Sequence, residues 1–171
     1  PDLMILIDCL TLRVDVDIRP VFIYGRYRKL DRGIPQTRWP CRACRGRAEG
    51  CEACEGTGLQ YPDSVQDLIG EPFRLVLSAE DTSFHGMGRE DIDVRCLGRG
   101  RPFVLEVKRP KVRRTDLEEV MEAVNSNASG KIEISDLRWT NRSEVSRIKE
   151  TRAEKSYPIR FSVEEPPEES F

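Results

Sequence analysis

Nothing in the 171-residue sequence approaches the run of about 20 apolar side chains that a membrane-spanning helix requires, and no secretory leader stands at its front. Those absences argue against an integral membrane or exported protein and lead to the expectation of a cytoplasmic one. Histidine is nearly missing. His85 is the only one; an imidazole could act as a general base by type, but its setting reads as that of a loop hydrogen-bonder and it receives no role here. Internal repeats are absent, and low complexity is confined to the acidic, proline-rich end. Net charge is also lacking, at a formal −2, so the chain is not indiscriminately adhesive toward polyanions.

The charge that is present is segregated. From Arg19 to Arg47 there are nine Lys or Arg and one acid, and from Arg99 to Arg114 seven and one, whereas Glu164, Glu165, Glu168 and Glu169 make the end acidic. Charged residues reach 34% against a usual quarter or so. Two basic blocks on a near-neutral chain suggest a polyanion-binding face. The length fits one domain, or a domain with a small appendage, and 38% hydrophobic residues suffice for a core. The sequence opens at Pro1 without an initiator Met, as expected of a fragment or processed product.

"LMILIDCL" and "TLRVDVDIRPVFIYG" read as strands, and the basic segment after Gly25 reads as an ordered loop. "PDSVQDLIG" predicts a short helix capped by Asp63 or Ser64 and ended by Gly70, followed by a strand, "PFRLVLS". Asp91–Leu97 and Pro102–Lys108 read as a hairpin turned by "GRGR". "TDLEEVMEAVNSN" is the clearest helix, with Thr115 and Glu118 at capping-box spacing and an apolar stripe of Leu117, Val120, Met121 and Val124. "GKIEISDLRWT" predicts a strand, "SEVSRIKE" a helix and "KSYPIRFSV" a last strand. The sum is an α+β fold, a mixed, largely antiparallel sheet with flanking helices.

"CRACRGRAEGCEACEGTG" is the most specific local pattern. Cys41, Cys44, Cys51 and Cys54 form two Cys-x-x-Cys pairs, four thiolates of the number that closes a tetrahedral zinc site, with glycines that let the backbone turn around an ion. Two disulfides or a redox pair are the alternatives; the absence of a leader speaks against the first and the lack of a βαβ context against the second. With four sulfur ligands no position remains for a catalytic water, so the zinc is expected to be structural. Arg42, Arg45 and Arg47 decorate this knuckle.

"GREDIDVR" places Glu90, Asp91 and Asp93 between arginines. As a strand it would send Asp91, Asp93 and Arg95 one way and Ile92, Val94 and Cys96 toward the core. Two chemistries fit such a face. Asp93 with Glu106 and Lys108 has the Asp…Glu-x-Lys form of a Mg²⁺-dependent nuclease. Alternatively one carboxylate is a metal-free nucleophile. A surface ion-pair ladder is the third reading, and the pattern does not choose among them.

Longer segments do. "FHGMGREDIDVRCLGRGRPFVLEVKRPK" together with "IYGRYRKLDRGIPQTRWPCRAC", in that family's order around the knuckle, resembles the archaeal tRNA pseudouridine synthase family Pus ten, which acts on the T-loop. The resemblance implies a pseudouridine synthase-like catalytic fold, an isomerase without organic cofactor, and tRNA as partner. It implies that Asp91 is the nucleophile, that Arg89 and Arg95 contact the target nucleotide, and that Tyr157 of "KSY" stacks on the uracil. "RYRKLDR" and "KRPKVRR" then supply phosphate contacts from Arg26, Arg28, Lys29, Arg32, Lys108, Arg109 and Lys111. Family members also carry an N-terminal RNA-binding domain and a C-terminal segment whose basic residue pairs with the nucleophile. The expectation is therefore a fold incomplete at its C-terminus, with a further segment or partner chain completing the active site. The divisions expected are N-terminal strands and basic loop (1–37), cysteine knuckle (38–60), catalytic core (61–163) and a mobile acidic end (164–171). A non-catalytic zinc-knuckle RNA-binding module is the competing reading.

Overall fold

The computed structural model describes residues 2–162. The expected mobile end at 164–171 lies outside them. The described residues form an α+β arrangement of six strands and three helices in two antiparallel sheets, with a cysteine cluster. None of their helices is long and apolar enough to cross a membrane.

β1 (Leu3–Asp8) and β2 (Arg13–Ile18) pair only with each other, and their apolar side chains stay exposed apart from half-buried Ile18. Pro20 lies in the break between β2 and β3 (Val21–Lys29), so the long strand expected over residues 11–25 divides there. β3 runs well past Gly25, into what reads in sequence as a basic loop. It pairs with β5 (Cys96–Lys108) on one side and β6 (Ile132–Thr140) on the other; β4 (Asp81–Gly86) completes the order β4-β5-β3-β6.

β5 is one continuous strand rather than half of a hairpin. Gly98 and Gly100 do adopt positive φ (62° and 72°), but they do not reverse the chain. A Cβ on Gly100 would lie 2.8 Å from the Tyr27 carbonyl, so these glycines let two backbones close up where β5 bulges against β3. Residues 91–95 consequently have no strand to pair with, because the expected hairpin partner, the C-terminal half of β5, is occupied on both edges by β3 and β4.

α1 (Val65–Val76) also corrects the sequence reading. Ser64 caps it, accepting the Asp67 N–H, and it continues through Gly70 and Pro72 to absorb the expected strand "PFRLVLS". Val65, Ile69, Phe73 and Leu77 recur every four residues and are fully buried, while Leu75 and Val76 face solvent. Gly70 is a close-approach residue: a Cβ there would sit 2.5 Å from Thr82 Oγ1 on β4. α2 (Leu117–Asn127) is capped by Asp116, not Thr115; its carboxylate accepts the N–H groups of Glu118 and Glu119.

α1 and α2 cover one face of the sheet, packing on Val21, Ile23, Tyr27, Phe103, Leu105 and Val107. α3 (Arg142–Glu150) covers part of the other through Ile148 on Phe22 and Val104. Val104 is therefore buried in a second, smaller core. The last expected strand is not formed as far as residue 162: residues 151–162 have no regular structure, and Tyr157, Ile159 and Phe161 are exposed.

Gly70→Ala is expected to lose about 1–3 kcal/mol by overpacking, despite alanine's better helix propensity. Urea unfolding checks this, and Thr82→Ala in the same chain is expected to recover part of the loss because it removes the atom the new methyl meets.

Candidate active site

β3 lays down the floor of the site. Its odd-numbered residues face inward, and beyond Val21, Ile23 and Gly25 that row ends in Tyr27 and Lys29, both 0% exposed. Above them passes the loop 87–95. Tyr27 Oη lies 2.8 and 2.7 Å from the two oxygens of the Glu90 carboxylate, whose side chain is only 3% exposed. Arg101 Nε stands 2.9 Å from the same carboxylate as an ion pair, and its Nη1 donates to the Met87 carbonyl at 2.7 Å. Gln36 Nε2 donates to Tyr27 Oη at 2.8 Å, Glu90 at 3.2 Å and the Gly88 carbonyl at 3.1 Å. Burial, then the Glu90 charge, pushes the Tyr27 phenol far above its ordinary range, so it serves as a hydrogen-bond donor.

Lys29 Nζ donates to the carbonyls of Ile34, Asp91 and Ile92 at 3.0, 2.9 and 3.1 Å. Desolvation lowers its pKa, opposed by Glu90, Cys96 and Asp93. The Gly33 N–H adds a bond to the Ile92 carbonyl at 2.9 Å, and the Val94 N–H bonds the Asp91 carbonyl at 3.2 Å, closing a turn. The loop is thus pinned from below on both sides of Asp91, whose own residue is exposed. Alternate exposure survives without a strand: Asp91, Asp93 and Arg95 are exposed, and Ile92, Val94 and Cys96 are half-buried.

The other residues singled out in the sequence are scattered. Arg89 and Arg95 are exposed on the Asp91 loop. Tyr157 is 67% exposed and belongs to the irregular segment after α3. Lys29 cannot meet phosphate, because it is buried with its protons committed. Arg26 donates to the carbonyls of Arg99 and Gly100, both at 2.7 Å. Arg28, Lys108 and Arg109 pair with Glu133, Asp81 and Glu80. Arg32 and Lys111 are exposed without an ion pair among the described residues. The nuclease grouping fails: Glu106 lies 3.0 Å from His85, Lys108 is taken by Asp81, and the one metal-sized cluster of acids, histidines or cysteines among the described residues is the four cysteines.

Those cysteines sit in two like turns. Arg45 and Gly46 after one pair, and Glu55 and Gly56 after the other, have positive φ, and the bridge between Pro40 and Leu59 closes the base. All four sulfurs lie within 4.8 Å of one another; Cys41 and Cys51 are 4.0 Å apart, Cys44 and Cys54 3.8 Å. A tetrahedron with metal–sulfur bonds of about 2.3 Å has edges of about 3.8 Å. The cluster fits a metal ion.

Tyr27, Gln36 and Arg101 were not legible as site residues, and Glu90, one of the clustered acids, is the one that is buried. The signal for Tyr27 and Lys29 is their parity with Val21 and Ile23 along β3. Glu90 is expected to be the sensitive member: Glu90→Gln keeps the shape but leaves Arg101 without its anion, at a cost of about 3 kcal/mol in urea unfolding.

A family model described as "Pus10, C-terminal" matches residues 22–170. The chain is 51% identical over 165 residues to a protein named tRNA pseudouridine synthase Pus10 from Methanothermobacter marburgensis, covering 96% of this chain and 40% of that one. It is 55% identical over 152 residues to the protein of that name from Methanothrix thermoacetophila (88% and 33%), and 47% over 165 residues to that from Archaeoglobus fulgidus (96% and 45%). It therefore spans less than half the length of these relatives. The match runs through the anchored loop, the strands beneath it and the cysteine knuckle alike, and the chain belongs to the Pus10 C-terminal family.

Proposed function

We propose that this chain is part of a tRNA pseudouridine synthase that isomerises a T-loop uridine, with Asp91 as the nucleophile. The observation that carries the reading is an exposed carboxylate on a loop whose backbone is held from below on both sides. In the reaction the carboxylate attacks the target nucleoside, the bond between N1 and C1′ breaks, and the uracil turns. Its C5 then bonds to C1′ and displaces the carboxylate, the C5 proton leaves to solvent, and N1 takes a proton from solvent. Atoms and charge balance without an organic cofactor.

The uracil has to leave its stack first, at a cost of a few kcal/mol. Arg89 and Arg95 flank Asp91 and are suited to hold the extruded nucleotide. Tyr157 is the stacking aromatic in this reading, its exposed ring free to meet a base. Arg32 and Lys111 offer free cations to the tRNA backbone, and half-exposed Arg28, Lys108 and Arg109 can exchange a carboxylate for a phosphate. The helix-covered sheet is taken as a portion of the pseudouridine synthase catalytic fold, in a cytoplasmic protein. Cys41, Cys44, Cys51 and Cys54 would hold one zinc ion, which supplies a structural crosslink.

Tritium release from a tRNA transcript carrying 5-tritiated uridine tests the reaction. Because the relatives are longer, the chain is assayed alone and in place of the matching span of the Methanothermobacter marburgensis protein. Release with the wild type and its loss with Asp91→Asn, at unchanged tRNA affinity, is the expected result. Binding without release in either form, or release that survives Asp91→Asn, would sink the assignment and favour an RNA-binding module. Cys41→Ser is expected to lower zinc from one per chain toward zero and to open the knuckle to protease, with Asp91 chemistry lost only as far as folding is; zinc remaining at one per chain would refute that ligand set.

A further inference from the structure

Among the described residues Lys29 is the one fully buried lysine or arginine, and the proposed chemistry gives it no task. An ammonium has three protons, and here three carbonyl oxygens from two chain segments take them: Ile34 from the loop after β3, Asp91 and Ile92 from the loop above. The two upper carbonyls belong to consecutive peptide units on the C-terminal side of Asp91. Upstream, Arg101 and Gln36 hold the carbonyls of Met87 and Gly88, and the Glu90 side chain is sunk between Tyr27, Gln36 and Arg101. Asp91 is left with its side-chain torsions as its main freedom.

We infer that Lys29 is a positioning residue for Asp91: its ammonium holds the two peptide units that follow Asp91, so that the carboxylate is presented outward in one orientation without Lys29 touching substrate. This rests on the reading of Asp91 as the nucleophile. A neutral side chain of the same length takes the ammonium from all three carbonyls, leaving Asp91 and Ile92 only the Val94 and Gly33 N–H groups, and the loop regains the lost bonds only by moving toward water. Arginine is no substitute, because its planar fork sends donors outward in one plane rather than converging on three oxygens.

The test combines loop dynamics with kinetics. In Lys29→Met the amides of Gly33 and Val94, which bond the Ile92 and Asp91 carbonyls, are expected to exchange with deuterium about tenfold faster or more, while the Ile134 amide, held on Asn125 away from the loop, does not change. Single-turnover tritium release should fall about 100-fold, as a nucleophile misplaced by an ångström or so costs, with tRNA affinity unchanged. Propylammonium, which replaces the atoms missing from Lys29→Ala, should restore that variant's rate saturably, a rescue that a lost fold does not show. If Lys29→Met does not fold, Lys29→Gln carries the same measurements. Unchanged exchange at Gly33 and Val94, or a rate loss equal to the loss of folded protein with no amine rescue, overturns the inference even where Asp91 is essential. Faster loop exchange in a protein whose wild type releases no tritium overturns the Asp91 reading instead and leaves Lys29 as the anchor of the loop.

Discussion

An ammonium group can be buried in a protein only where each of its protons meets an oxygen, since the desolvation cost otherwise drives it neutral or out to solvent. At Lys29 that condition is met by backbone carbonyls rather than by an acid. The rest of the site follows from this. Two segments that are neither strand nor helix, one after β3 and one before β5, are drawn over the same end of the sheet because both supply carbonyls to one cation. Glu90 is then carried inward beside Tyr27 and Arg101, and the adjacent residue, Asp91, is turned outward. Neighbouring acids thus acquire opposite environments: one is structural and shielded, the other exposed and available.

The sheet makes that arrangement possible by leaving no free edge along the C-terminal half of β5. A hairpin of the kind suggested by "GRGR" would have given residues 91–95 a ladder of backbone hydrogen bonds and spread the acids along a pleated face. With residues 102–108 of β5 already paired to β3 and β4, residues 91–95 must find other partners, and Asp91 and Ile92 find Lys29, while Gln36 and Arg101 hold Gly88 and Met87 just upstream. A loop held by side chains can take a shape that a strand cannot, sinking Glu90 while Asp91 and Asp93 stay exposed. The knuckle solves a different problem with the same economy of structure, since residues 41–58 have little apolar material to bury and depend on four sulfurs converging.

Local patterns were read well where one period or one spacing governed the outcome. The α2 stripe of Leu117, Val120, Met121 and Val124 faces the core, α3 and β6 stand where their patterns put them, and the cysteines converge as two Cys-x-x-Cys pairs should. Misreadings came where one residue type serves two purposes. Gly70 ends helices in general, but here it lets α1 touch Thr82, so the helix runs on and turns an expected strand into its own last turns. Gly98 and Gly100 belong to a bulge instead of a reversal. Lys29 and Arg26 look like phosphate ligands in a basic run, but both are committed to backbone carbonyls of the chain itself.

By itself the sequence determined the α+β class, the four-cysteine cluster, the family, and the alternation that exposes Asp91 while half-burying Ile92, because each rests on short-range periodicity or on long stretches of matching residues. Tertiary structure alone decided which acid is buried and which is free, and which cations remain for a ligand. Those outcomes depend on pairings between residues some sixty positions apart, such as Tyr27 with Glu90 and Lys29 with Asp91. Burial of a charge is decided by whether distant partners arrive to satisfy it, and no local pattern carries that information.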